Sequence, residues 1–160
     1  MTASGRLGKA LLGTAATAVL FSGIAAAAPV AASAAPARAS AVSDLVAATN
    51  AAREEAGCPA VESDPQLDEV AQEHATGLAQ RGDLDHVDRE GRESRDRIRS
   101  AGYEESFGEN LAQGYPTAAG VMQVWMDSPG HRRSIEDCGY TAIGVGYEPN
   151  GHYWVQDFGS

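Results

Sequence analysis

Apolar residues recur along this chain with two periods. Between residues 42 and 135 they return every three or four positions, the spacing of helices with one buried face, and from residue 143 onward they alternate, as in a strand. Val42, Leu45, Val46 and Thr49 define a first helix over about Val42 to Ala56, and Gly57 stands where a left-handed cap is wanted. A second helix opens with Asp64 as cap and Pro65 in the first position. Leu67, Val70, Ala71, Ala75, Leu78 and Ala79 form its stripe, with His74 on the same face. From Arg89 to Ser100 both charges are mixed around Ile98, which predicts a mostly exposed helix or helical loop closed by Gly102. Thr117 caps a further helix carrying Val121, Val124 and Trp125; Pro129 ends it, and Ser128 becomes the cap of a new short turn in which His131 is third. Ile143, Val145 and Tyr147 then alternate with Gly144 and Gly146. Pro149-Asn150-Gly151 turns the chain, and Tyr153 to Gln156 returns as the second strand of an antiparallel hairpin. The glycines imply close approach by something on one face.

The segment ahead of the first helix changes the compartment. Arg6 and Lys9 precede an uncharged run from Ala10 to Ala28, followed by small-residue cleavage candidates such as Ala32-Ser33-Ala34, so residues 1–37 read as a secretory leader and 38–160 as the domain. The competing reading is an uncleaved anchor, which the Gly, Thr, Ser and Ala content of the run disfavours. The 160-residue chain has a formal charge of −10, and loss of Arg6 and Lys9 takes it to −12. That argues against nucleic acid and anionic membrane surfaces, both of which require a basic patch. In an exported chain, two cysteines as far apart as Cys58 and Cys138 read as a disulfide, since metal ligands would cluster a few residues apart. Chain entropy credits such a link with roughly 4–5 kcal/mol.

Four residues carry candidate chemistry. At the third position of a helical turn, free N–H groups and the helix dipole disfavour protonation of His131; a neutral imidazole suits a metal ligand or general base, or simply a partner for its neighbours. His74 faces the interior and needs a partner. His86, in Gly82-Asp83-Leu84-Asp85-His86-Val87, is by default solvated, as is His152 beside the hairpin turn. The aspartates around His86 lack the glycine and distant glutamate of a calcium loop. Glu109, flanked by Gly108 and Asn110 with apolar residues outside them, reads as a carboxylate carried inward on irregular backbone, either a structural hydrogen-bond anchor or part of a charged site. There is no Gly-x-Ser-x-Gly elbow and no His-Glu-x-x-His, and Ser128 lacks an orienting third group.

In order and spacing, these motifs resemble the CAP superfamily, the cysteine-rich secretory, antigen 5 and pathogenesis-related proteins, and in particular its short bacterial SCP-like extracellular members. The resemblance spans residues 43 to 159 and is carried by Asp85-His86, Arg97-Ile98, Ala101-Gly102-Tyr103, Gly108-Glu109-Asn110, Val121 to Ile135, Ile143 to Gly146, and Tyr153 to Gln156 with Phe158-Gly159. It implies a three-layer α/β/α sandwich with a small antiparallel sheet, and a cleft where His86, Glu109 and His131 meet. The larger eukaryotic members carry a second glutamate after the tryptophan of the fourth helix. Here only Met126 to Gly130 separate Trp125 from His131, and Asp127 is the nearby acid.

Two imidazoles and one carboxylate could hold a divalent ion, zinc or magnesium. Family members have been associated with proteolysis, lipid or sterol binding and signalling, and the fold alone does not select among these. The expectation is therefore a secreted, extracellular, monomeric binding module whose cleft takes a small molecule, lipid, peptide or metal. The alternative is a metal-assisted hydrolase of peptide, ester or cell-wall substrates with Glu109 as base.

Overall fold

The computed structural model describes residues 1–2 and 31–160 of the chain, so most of the expected leader, residues 1–37, lies outside the described residues. Helix α1 (Ala31–Glu55) begins well ahead of the Val42 expected, through alanine-rich sequence of high helix propensity. It ends as expected. Gly57 has φ 79°, and the amides of Gly57 and Cys58 bond back to the carbonyls of Glu54 and Arg53, which closes the helix with paired reverse bonds.

Helix α2 (Pro65–Arg81) starts where Asp64 accepts from the amides of Gln66 and Leu67, and Gly82 ends it at φ 71°. Of the charge-rich stretch 89–100 only α3 (Ser94–Ser100) is helical, and it is less exposed than expected because Arg97 is buried beside Ile98. Helix α4 (Ala118–Asp127) is capped by Thr117. Helix α5 (Pro129–Ile135) follows with Ser128 in the cap position, but the serine side chain makes no capping bond.

The sheet has the order β1-β3-β4-β2, built from β1 (Glu62–Ser63), β2 (Phe107–Gln113), β3 (Ala142–Glu148) and β4 (Tyr153–Gly159). The β3–β4 hairpin and the β2–β4 pair are antiparallel; the two-residue β1 joins β3 in parallel. Beyond β1 the edge of β3 is closed by side chains from α2, with Val145 N–H donating to Asp68 at 2.8 Å and Tyr147 N–H to Gln72 at 3.0 Å.

Helices pack on both faces, giving the three-layer α/β/α sandwich. On one side Leu45, Val121, Trp125 and Ile135 meet Ile143, Val145, Trp154 and Phe158; on the other Ala71, Ala75 and Leu78 meet Leu111, Tyr153 and Val155. The close approach predicted from Gly144 and Gly146 is that of α2. A Cβ at either position would collide with the α2 backbone at Leu67 or Ala71.

Cys58 and Cys138 form the expected disulfide, with Cα atoms 4.9 Å apart. Beside it lies Arg53, wholly buried, which donates to the carbonyls of Pro59, Ile135, Asp137 and Tyr140 at 2.7–3.1 Å. His152 is half-buried rather than solvated. Its ring stacks on Tyr147, and its Nδ1 lies 2.7 Å from the Tyr147 hydroxyl.

Candidate functional site

Glu109 sits in regular strand, third in β2, directly opposite Asp157 of β4. This corrects the irregular backbone expected from its polar neighbours. Strand alternation sends Glu109 to the α2–α3 face and Asn110 to the opposite face, where Asn110 Nδ2 donates to Gln156 at 2.9 Å and to the His131 carbonyl at 3.2 Å. Asn110 thus ties β2 to β4 and to α5.

The Glu109 side chain is 1% exposed and both its oxygens are engaged. Oε1 accepts from His86 Nδ1 at 2.6 Å, and Oε2 accepts from Arg97 Nη2. Arg97, itself 2% exposed, turns its Nη1 to the carbonyls of His86 (2.9 Å) and Arg92 (3.0 Å), so one guanidinium fixes the loop that carries His86 and the carboxylate that His86 contacts. The same loop is held from below by His74. A carbonyl can only accept, so His74 Nε2 carries the proton it donates to Asp85 O at 2.9 Å, which leaves Nδ1 as an acceptor with no partner. His74 is therefore the interior histidine expected, and its partner belongs to the loop presenting His86.

These contacts decide the charge states. Burial would raise the pKa of Glu109, but the His86 hydrogen bond and the Arg97 charge outweigh it and hold the carboxyl below its ordinary value. The bond to Glu109 raises His86, against the opposing effect of its partial burial. Burial, then the His86 charge, lower His131. Its Nδ1 is buried without a partner, and its ring centre lies 6.4 Å from that of Trp125. The structure thus brings His86 and Glu109 into contact, and the His86 charge is the lesser of two causes that lower His131.

Sequence reasoning named Arg97 only as part of a motif and missed Asp157. Arg97 is hidden in a stretch where charges of both signs suggest solvent. Asp157 left a signal: Gln156 and Asp157 interrupt an otherwise apolar run, Tyr153 to Phe158, on a strand paired on both sides. Asp157 is fully buried and neither oxygen has a partner donor. Burial, then the Glu109 charge, push its carboxyl well above the usual range, so each of the two facing carboxyls opposes ionisation of the other. The acid beside Glu109 is therefore Asp157; Asp127 is exposed at the end of α4.

Among the described residues, no group of three or more His, Cys, Asp and Glu side chains is arranged to hold a metal ion. One Glu109 oxygen is bonded to a guanidinium and the other to an imidazole, so an ion shared there would compete with both partners.

A family profile described as CAP, the cysteine-rich secretory protein family, matches residues 46–158. The chain is 33% identical over 115 residues to the uncharacterised protein YkwD of Bacillus subtilis (strain 168), covering 71% of this chain and 45% of that one. It is 29% identical over 111 residues to the uncharacterised membrane protein YlbC of the same organism, covering 69% and 32%. It therefore spans less than half the length of these curated relatives. Among solved structures, an extracellular protein containing an SCP domain from Bacillus anthracis str. Ames aligns with a TM-score of 0.71 at 23% identity, over 76% of this chain and 41% of that one. An outer surface protein of Borrelia burgdorferi aligns at 0.65 and 24%, over 72% and 89%. Both likenesses concern the fold.

Proposed function

The chain belongs to the CAP family of cysteine-rich secretory proteins, and from that premise we propose that it is an extracellular binding module whose cleft, edged by His86, Glu109 and His131, takes a small polar molecule or a peptide. The observation that carries this reading is the buried, ionised Glu109 held between Arg97 and His86, whose side chain is 58% exposed and brings the charge pair to the surface. A polar ligand would meet an imidazolium backed by a carboxylate, together with the second imidazole of His131. A lipid suits this charged edge less well. Export is supported by the leader pattern, the Cys58–Cys138 disulfide, and similarity to proteins described as extracellular or outer-surface. No described helix is long and apolar enough to cross a membrane.

The hydrolase reading asks Glu109 to act as base. A carboxylate held below its ordinary pKa and already accepting from two donors is a poor one. Zinc or magnesium would find imidazole nitrogens here and would compete with Arg97 and His86 for Glu109. Calorimetric titration of the exported protein with each ion, repeated on His86→Ala and His131→Ala, is paired with turnover of a peptide, ester and wall-fragment library. The binding reading expects ligand retention without turnover. Turnover that vanishes with both Glu109→Gln and a chelator would replace it with the hydrolase.

A further inference from the structure

The outer face of α2 opens onto a cavity of about 430 Å³ that His74 and Arg97 line and that His86, Glu109 and His131 do not. Arg97, which lines it, also bonds Glu109 and the His86 carbonyl. Along α2 the row spaced by four residues reads Glu69, Glu73, Gly77, Arg81, and Gly77 leaves the gap. Glycine in a helix interior costs about 1 kcal/mol relative to alanine. Packing does not require it here, because an added Cβ would meet nothing nearer than Arg81 Nη1 at 3.8 Å.

The walls are unevenly satisfied. Glu69 and Glu73, like charges one turn apart, take part in no ion pair among the described residues. At the other end Arg81 bonds Asp83 through Nε at 3.0 Å, while its Nη1 is buried without a partner. Between these ends, two side chains each 2% exposed also carry a nitrogen without a partner, the acceptor Nδ1 of His74 and the donor Nε of Arg97. Buried groups in this state call for a partner, which a bound water, an ion or a ligand supplies.

We propose that this groove is a second binding site, for a short zwitterionic peptide whose ammonium sits at Glu69 and Glu73, whose carboxylate sits at Arg81, and whose amides lie over His74 and Arg97. Unpaired carboxylates at one end and an incompletely paired guanidinium at the other select opposite charges at the two ends of one ligand. From Glu73 to Arg81 the helix rises about 12 Å, the span of about four extended residues. The inference does not rest on the cleft, although Arg97 and His74 line the groove and also hold the loop that carries His86.

The test is calorimetric titration of the disulfide-bonded full chain with tetra-alanine, N-acetyl-tetra-alanine and tetra-alanine amide. Tetra-alanine is expected to bind, and blocking either end to weaken it about five- to ten-fold. The Glu69→Gln/Glu73→Gln variant should reproduce the loss caused by acetylation and bind the acetylated peptide no worse than wild type does. Gly77→Leu, which fills the gap with a better helix former, should abolish binding. Absence of tetra-alanine binding at millimolar concentration, or binding that survives Gly77→Leu, overturns the proposal. Loss with His86→Ala but not with Gly77→Leu would place the peptide in the cleft instead.

Discussion

Arg53 and Arg97 are both buried, yet the molecule treats the two guanidiniums differently. Arg53 meets four backbone carbonyls and lies at the disulfide end, where α1, α5 and the start of β3 converge. Its charge is spread over fixed dipoles, and no carboxylate is needed. Arg97 meets two carbonyls and one carboxylate, and its Nε is left without a partner. Around it gather Glu109, His74, His86 and the buried carboxyl of Asp157, whose pKa is raised. A buried charge that is fully satisfied by backbone acts as a strut. One that shares an incompletely satisfied network with other titratable groups keeps polar capacity in reserve, which is what a binding site requires.

That contrast can be broken at either end. The largest effect is expected from Cys58→Ser, which removes a link closing a separation of 80 residues and costs about 4.5 kcal/mol on the chain-entropy account. The thermal midpoint should drop by roughly 10–20 °C and lose its sensitivity to reductant. Alkylation of both thiols in unreduced wild type, seen by mass spectrometry, would contradict it. Arg53→Met leaves buried carbonyls without donors and should cost about 4 kcal/mol in chemical denaturation. It should leave His86 titration unchanged wherever the protein remains folded. Should His86 shift as well, the two regions are not separable as described.

Arg97→Met is expected to cost about 3 kcal/mol, because it strands the Glu109 charge. Here a partner substitution helps: adding Glu109→Gln removes the stranded charge and should recover part of the loss in a double-mutant cycle. No single side-chain change can rescue Arg53→Met in that way, since its acceptors are backbone. Equal costs for Arg97→Met with and without Glu109→Gln would remove the distinction.

The smallest effect is that of pH. The raised pKa of His86 gives stability that is fully present below its unfolded value and lost as pH rises through the folded one; the depressed pKa of Glu109 gives stability present above its unfolded value and lost as pH falls through the folded one. Both shifts describe the same pair, which is therefore at full strength between about pH 4.5 and 6.5. With His86 half in solvent the contribution should stay under about 1 kcal/mol. Denaturation of wild type and His86→Gln should differ in that window and converge above it. A difference that instead grows with rising pH would reverse the assigned sign.

The helix ends were legible in the sequence because capping is local: Asp64-Pro65, Thr117 and Gly57 act within a few residues of themselves. The hairpin was legible because its period and turn are local too. Strand β2 was not, since Gly108-Glu109-Asn110 has neither period, and its strand character comes from pairing with β4, over forty residues away in sequence. His86 and Glu109 were named through family resemblance, whereas their contact depends on Arg97, whose burial its charged neighbours conceal. Asp157 lay in plain view as a polar break in an apolar strand. Its meaning depended on which residue stood opposite, and local pattern does not give that.

The central claim is that Glu109 is ionised in the interior and sets the charge of His86. The most direct measurement is an NMR titration of the His86 ring in metal-free buffer for wild type, Glu109→Gln and Arg53→Met. His86 should titrate above the ordinary histidine range in wild type and in Arg53→Met, and fall back toward that range in Glu109→Gln. An His86 titration unchanged by Glu109→Gln would contradict the account.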